Sequence, residues 1–258
     1  MTEMLAKNAA EKWGLMVVPT PIGNRADITQ RALDVLRSVD FVLAEDTRTT
    51  GALLRHYEIE ARLRAFHMRN EHLAVEGVIE ELQAGATACL CSDAGTPGIS
   101  DPGYLLVRAC VESGIEVQCL PGPTAFVPAL VISGLPCDRF VYEGFLPHKK
   151  GRMTRLAAIA KEPRTTVLYE SPHRIQKLLQ ELAESCGEDR PVSVSRELSK
   201  MFEETTRGTA GSLAKSWKER KPKGEFVVVV GGLDKPSIKA REKLKKSRAA
   251  DQKRGTPQ

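Results

Sequence analysis

Residues 86–103 read ATACLCSDAGTPGISDPG. Ala86–Cys91 is an apolar run without alternation, the pattern of a short strand covered on both faces. It breaks at Ser92 into twelve residues holding three glycines, two prolines and two aspartates. After this stiff, bare loop, Tyr104–Ser113 is helical by period, with Gly114 placed as its C-cap. A doubly buried strand, a long loop and a helix form one unit of a parallel α/β sheet.

The same unit recurs on both sides. Upstream, Gly14–Thr20 (GLMVVPT) and Asp40–Ala44 (DFVLA) are apolar runs that end in polar or proline-rich loops. Helical periods follow them, through Ile28, Ala32, Leu33, Val35 and Leu36, around Leu53 and Leu54, and over Glu71–Gln83. Downstream, Glu116–Leu120 reads as a strand, and Pro121–Thr124 (PGPT) opens the next helix. The pattern falters over Gly134–Pro147, the expected crossing between domains. Beyond it come strands at Thr165–Tyr169, Val192–Ser195 and Glu225–Val230, and helices at Ile175–Ser185 and Ala210–Glu219. The expectation is a fold of two α/β domains, 14–136 and 137–233, with an extension over 1–13 and a tail over 234–258.

Composition narrows the class. With 258 residues, 41% hydrophobic and 28% charged, the body has enough apolar surface to fold. No apolar run approaches the roughly 18 residues of a membrane span, and the first dozen residues lack a signal core, so a cytoplasmic protein is expected. Cys89 and Cys91 form C-x-C without a His or Cys partner at zinc spacing; they are expected to be reduced core residues, and no metal is expected. The net charge of +5 is uneven: residues 234–258 hold nine Lys/Arg and three Asp/Glu, a net +6, which leaves −1 for everything before. Such a tail suits an anionic partner such as RNA, or is only a solubilising end.

In open α/β sheets, ligands gather beyond the carboxyl ends of the strands. Four loops leave such ends: Pro19–Asn24 (PTPIGN), Glu45–Arg48 (EDTR), Ser92–Gly103 and Pro121–Thr124. None carries a P-loop, and no G-x-G-x-x-G follows the first strand, which argues against a P-loop NTPase or an ordinary Rossmann dehydrogenase. Bare backbone at Gly95, Gly98, Gly122 and Gly208 can approach a ligand closely. Candidate bases are Asp46, His67, Glu170, His173 and Lys200. Arg48, Arg174, Arg196 and Lys200, with Glu197, form either a surface ion-pair network or a set of phosphate contacts; Arg25 belongs with the RNA-facing candidates.

Taken in order, VPTPIGN, AEDTR, FHMRNE, SDAGTPGISDPG, PGPTAFVPAL, LYESPHR, SRELSKMFEE and GEF resemble the tetrapyrrole-methylase superfamily, from about Gly14 to Gly232. The resemblance implies two α/β domains with S-adenosylmethionine (SAM) in the cleft between them, and a homodimer. It places Thr20 and Pro21 where the first loop faces the active site. Ser92, Asp93 and Ile99, with Gly95, Ser100 and Asp101, fall in the cofactor loop, and Thr124 and Ala125 match a Thr-Ala after the P-G turn. Glu170 stands where porphyrin enzymes often have methionine, and Gly208 matches a G-T-L glycine. The family loop usually reads G-D-P; here it reads S-D-A-G-T-P, as suits a branch acting on RNA. That branch implies 2′-O-methylation of a cytidine in 16S rRNA of the small ribosomal subunit. A methylase of a small tetrapyrrole or corrinoid and a non-catalytic RNA-binding assembly module are the alternatives.

If the six net positive charges of the tail meet phosphates, deleting 234–258 flattens the salt dependence of substrate KM and leaves SAM affinity unchanged. Measuring KM at two salt concentrations checks this, and an identical slope assigns the tail to solubility alone.

Overall fold

The computed structural model describes residues 13–233; the expected tail, and the expected extension before Trp13, lie outside them. The chain forms two compact units. One runs to Ala125 and takes in Leu198–Met201; the other comprises Phe126–Glu197 and the chain from Phe202.

In the first unit, β1 (Leu15–Val17), β2 (Phe41–Ala44), β3 (Leu63–Ala65), β4 (Ala88–Cys91) and β5 (Val117–Cys119) make one sheet in the order β3-β2-β4-β1-β5. Every pairing in it is parallel. The helices are α1 (Gln30–Ser38), α2 (Thr47–His56), α3 (Glu71–Gln83) and α4 (Tyr104–Glu112). Met16, Val42, Cys89 and Cys91 face α1 and α2, while Leu15, Phe41, Leu43 and Leu90 face α3 and α4. Both sheet faces are therefore core, the reason these strands read as unbroken apolar runs. The C-x-C cysteines lie one strand period apart on one face. Burial pushes the Cys91 thiol up to about 12 and the Cys89 thiol well above its usual range.

The second unit begins with α5 (Phe126–Ile132), which packs against β7 (Thr165–Glu170) and β10 (Phe226–Val230). The division between units thus falls at Ala125, ahead of the expected crossing. That crossing itself contains a strand, β6 (Phe140–Phe145). With β8 (Pro191–Arg196) and β9 (Glu204–Thr209) the sheet runs β6-β7-β10-β8-β9. Only β6 and β7 are parallel; β10 runs antiparallel to both its neighbours, and β8 to β9. The sheet is mixed where a mostly parallel one was expected, because β8 and β9 are joined by a short connection without a helix that reverses the chain, and β10, pointing the same way as β9, inserts antiparallel between β7 and β8. Helices α6 (Arg152–Lys161), α7 (Ile175–Cys186) and α8 (Ala210–Trp217) cover one face, on which Leu168, Val194 and Val228 are completely buried.

Among the described residues no helix is long and apolar enough to cross a membrane. Leu168→Ala removes a fully buried side chain from the second core and is expected to cost about 2–5 kcal/mol, read as a lowered midpoint in urea unfolding.

Candidate functional site

The carboxyl edge of the first sheet is stitched by main chain. Thr20 and Gly95 exchange both backbone hydrogen bonds at 2.9 Å, a single antiparallel bridge that ties the loop after β1 to the loop after β4. The Thr20 hydroxyl donates to Ser92 O (3.0 Å), and the Ser92 hydroxyl to Gly95 O (3.2 Å). Thr96 Oγ1 donates to Pro123 O (3.1 Å), adding the loop after β5. On the other side, Asp93 N donates to Glu45 Oε2 and Asp46 N to Asp93 Oδ1, each at 3.2 Å. Four loops separated in sequence therefore form one edge, as expected.

A cavity of about 250 Å³ opens in this edge, lined among others by Thr20, Pro21, Arg25, Thr50, Ser92 and Asp93. Its far wall is the first turns of α2, whose N-cap is Asp46: the carboxylate accepts from Arg48 N (2.8 Å) and pairs with the Arg48 guanidinium (2.5 Å). These bonds hold the Asp46 carboxyl down at about 2, mainly through the Arg48 side chain. So weak a base is suited to capping and not to proton abstraction. Asp93 is shifted the other way, upward, by burial first and then by the charges of Glu45 and Asp46.

Lys200 and Ser199 belong to the segment Leu198–Met201 that joins this unit. The Lys200 stem lies against Gly23, where no Cβ fits, and the Ser199 hydroxyl bonds the Asp27 carboxylate. Ser199 holds a left-handed φ of 68°. Arg25 is exposed, with NH1 3.2 Å from His56 Nδ1. His67 lies apart from the cavity, just past the edge strand β3, with its backbone N–H bonded to Asn70 Oδ1 (2.7 Å).

The glycines divide into two kinds. Gly98 (φ 84°) faces open space and is exposed, whereas Gly95 (φ 86°) is buried with its N–H and carbonyl already bonded to Thr20 and Ser92; both positions call for glycine by conformation. A Cβ on Gly122 would instead come within 2.7 Å of the Pro19 ring, and one on Gly208 within 2.7 Å of Ser212 Oγ. Both are explained by packing of the protein against itself, not by a ligand. Ile99, Ser100 and Asp101 continue the bare loop, Ser100 at a left-handed φ of 65°. Thr124 and Ala125 are half-buried just before α5.

In the second unit Glu170 ends β7 on the same face as Leu168, by strand alternation. Its side chain is completely buried, paired with Arg174 (2.7 Å) and near Arg152 (3.7 Å). Arg152 also grips Glu181 (2.7 Å) and donates to Pro147 O, while Arg174 donates to Leu146 O. Two guanidiniums, Arg152 buried and Arg174 half-buried, thus hold the chain leaving β6, and Glu170 lies against both. A carboxylate sealed in this way has no route to a substrate proton, so the expected role as base gives way to a structural one. Arg174 is likewise committed to this network, and Arg196 to Lys223 O (2.7 Å) and Glu204. Sequence reasoning missed Thr49 and Thr50 in the cavity wall, because hydroxyls in a helix's first turn are too common to single out. Among the described residues no group of His, Cys, Asp and Glu is placed to hold a metal.

Residues 14–214 match the family model described as Tetrapyrrole (Corrin/Porphyrin) Methylases. The chain is 53% identical over 222 residues to the ribosomal RNA small subunit methyltransferase I of Escherichia coli, covering 84% of this chain and 77% of that one. It is 44% identical over 220 residues to the protein of the same name in Thermotoga maritima, covering 85% and 99%. Among solved structures, the methyltransferase CobJ superposes with a TM-score of 0.64 at 19% identity, over 86% of this chain and 95% of that one. A Thermus thermophilus uroporphyrin-III-C-methyltransferase gives 0.59 at 21%, over 84% and 93%.

Glu170→Ala removes the carboxylate paired with half-buried Arg174 and adjoining buried Arg152, which keeps Glu181, and is expected to destabilise the protein by about 1–3 kcal/mol. Denaturant unfolding checks this; full stability with abolished methyl transfer would instead restore Glu170 as a base.

Proposed function

Because the chain belongs to the tetrapyrrole methylase family, we propose that it transfers the methyl group of SAM to the 2′-oxygen of a cytidine ribose in 16S rRNA of the small ribosomal subunit. The observation that carries this reading is high identity, over most of the chain, to relatives named for that RNA. Likeness to the solved uroporphyrin-III-C-methyltransferase, at 21% identity, carries the fold alone.

The edge described above suits the cofactor. SAM has no phosphate, and it calls for backbone donors and acceptors around a flat base, a ribose and an amino-acid end. Accessible main chain at Gly98 and Ile99–Asp101, and the turn from Gly122 to Ala125, supply such groups, on a loop that Gly95 fixes to the sheet. Thr20, Pro21, Ser92 and Asp93 form the wall between these loops and the cavity. When bound, SAM supplies an electrophilic methyl carbon on a sulfonium. The protein's share is alignment of the attacking oxygen, worth about 7–11 kcal/mol in well-oriented systems, and help with its proton.

Of the candidate bases, Asp46 caps a helix and Glu170 is sealed, while His67 stands apart from the cavity. Lys200, laid along the loop after β1, is the residue we place beside the attacking hydroxyl. Exposed Arg25 and Arg48 at the same edge suit phosphates on either side of the target. We further infer a homodimer, supported by the exposed apolar side chains Val127 and Val131 on α5 and Phe140 on β6, and a cytoplasmic location, which follows from the proposed ribosomal substrate.

The test is SAM titration followed by tritiated methyl transfer to 30S subunits from a strain lacking this gene. Labelled 16S rRNA carrying an alkali-resistant 2′-O-methyl cytidine is expected. Lys200→Met is expected to lower kcat about a hundred-fold with SAM affinity unchanged. SAM binding without transfer to RNA would reject the substrate, and an unchanged kcat in Lys200→Met would reject that role.

A further inference from the structure

The cavity of the first unit is more specific than the reaction requires. At about 250 Å³ it falls below the roughly 300–1,000 Å³ of pockets that enclose whole drug-sized ligands. It has room for one nucleobase. Two of its three inner hydroxyls are already satisfied, Thr20 Oγ1 by Ser92 O and Ser92 Oγ by Gly95 O. The third is not. Thr50 is 2% exposed, it lines the cavity, and its Oγ1 has no hydrogen-bond partner among the described residues.

That orphan is informative because a cheap internal partner is at hand. Thr50 sits in the first turn of α2 and its own N–H bonds Asp46 O, the carbonyl to which a helical threonine hydroxyl commonly turns back. The hydroxyl does not do so. A buried hydroxyl without a partner is destabilising, and a polar ligand atom in the cavity would remove the penalty. The opposite wall offers Asp93, whose carboxylate accepts a single protein N–H, that of Asp46. A carboxylate has about four lone-pair sites, so it keeps ample capacity to accept from a ligand. Arg25 and Lys200 add positive charge at the cavity and beside it.

Resting on the RNA-methylating reading above, we propose that this cavity takes the base of the target nucleotide and selects cytosine over uracil through Asp93 and Thr50. A carboxylate accepts from the exocyclic amino group of cytosine, and a hydroxyl donates to the ring nitrogen or carbonyl oxygen on the same edge. Uracil carries an oxygen where cytosine carries the amino group, so it would set a lone pair against the Asp93 carboxylate. Enzymes acting on a nucleotide within a folded nucleic acid commonly draw its base into a snug pocket. The loop after β4 then serves two ligands, with Ser92 and Asp93 on the base side and the Gly98–Asp101 backbone on the cofactor side.

The experiment compares methyl transfer to reconstituted small subunits carrying cytidine or uridine at the target position, with SAM affinity measured in parallel by calorimetry. For Thr50→Val, kcat/KM on the cytidine subunits is expected to fall about ten-fold at unchanged SAM affinity, with Thr50→Ser close to wild type. Asp93→Asn, which puts an N–H donor in the wall, is expected to narrow or reverse the preference for cytidine. Ala52→Leu, which fills the same cavity, is expected to raise KM for the subunit and leave SAM binding intact. The inference is overturned if wild type methylates cytidine subunits while Thr50→Val and Asp93→Asn keep its kcat/KM and its preference. It is equally overturned if Thr50→Val weakens SAM binding as much as turnover, which would make the cavity part of the cofactor pocket. A wild-type protein that binds SAM but methylates neither subunit would overturn the functional reading itself, a result distinct from both.

Discussion

The paired hydrogen bonds between Thr20 and Gly95 set the geometry on which the rest of the site depends. A loop of glycines and prolines has little side-chain packing to hold it, and left alone it would sample many shapes. One two-residue bridge, reinforced by the Thr20 and Ser92 hydroxyls, converts it into an extension of the sheet. The bridge lies between the two central strands of the edge, β1 and β4, so both the accessible backbone on one side and the cavity on the other inherit its position. The left-handed φ of Ser100 is a conformational cost of that placement, while glycine meets the same demand at 95 and 98 without steric strain.

The second unit uses buried charge for a comparable purpose. Arg152 and Arg174 direct N–H groups at Pro147 O and Leu146 O, fixing a stretch that continues into exposed His148, Lys149 and Lys150. Guanidiniums can reach such carbonyls from inside only if their charge is balanced there, which is what Glu170 and Glu181 do. Apolar residues in the same places would pack as well but would leave the loop without its anchors.

How much of this was legible follows from what each element buries. Strands β1, β2 and β4 read clearly because a parallel strand covered on both faces is an apolar run, and a one-residue error in its bounds changes nothing. Strand β9 (ETTRGT) was invisible, since an edge strand with half-exposed positions has no apolar signature. Strand β6 was hidden because Glu143 and Gly144 interrupt it, the latter beside a register shift. The loops of the site were found through their glycines, but glycine alone did not distinguish an open backbone, as at Gly98, from close packing against Pro19, as at Gly122. Glu170 was misread although parity with Leu168 already placed it on the core face. Thr50 had no signal of its own, because a hydroxyl at a helix start is common and only the fold shows that it has no partner.

The inclusion of Leu198–Met201 in the first unit also bears on how the protein is made. A chain emerging from the ribosome completes the five strands of the first sheet early, yet the strip that lies along Gly23 and Asp27 arrives only after β8 of the other unit has been synthesised. The first unit is therefore a nearly finished body that receives its last piece from a distant part of the chain, a contact of high sequence separation and late closure. Completion of this edge is in this way coupled to the progress of translation: a chain halted before Leu198 holds all five strands of the first sheet without the lysine that lies along Gly23.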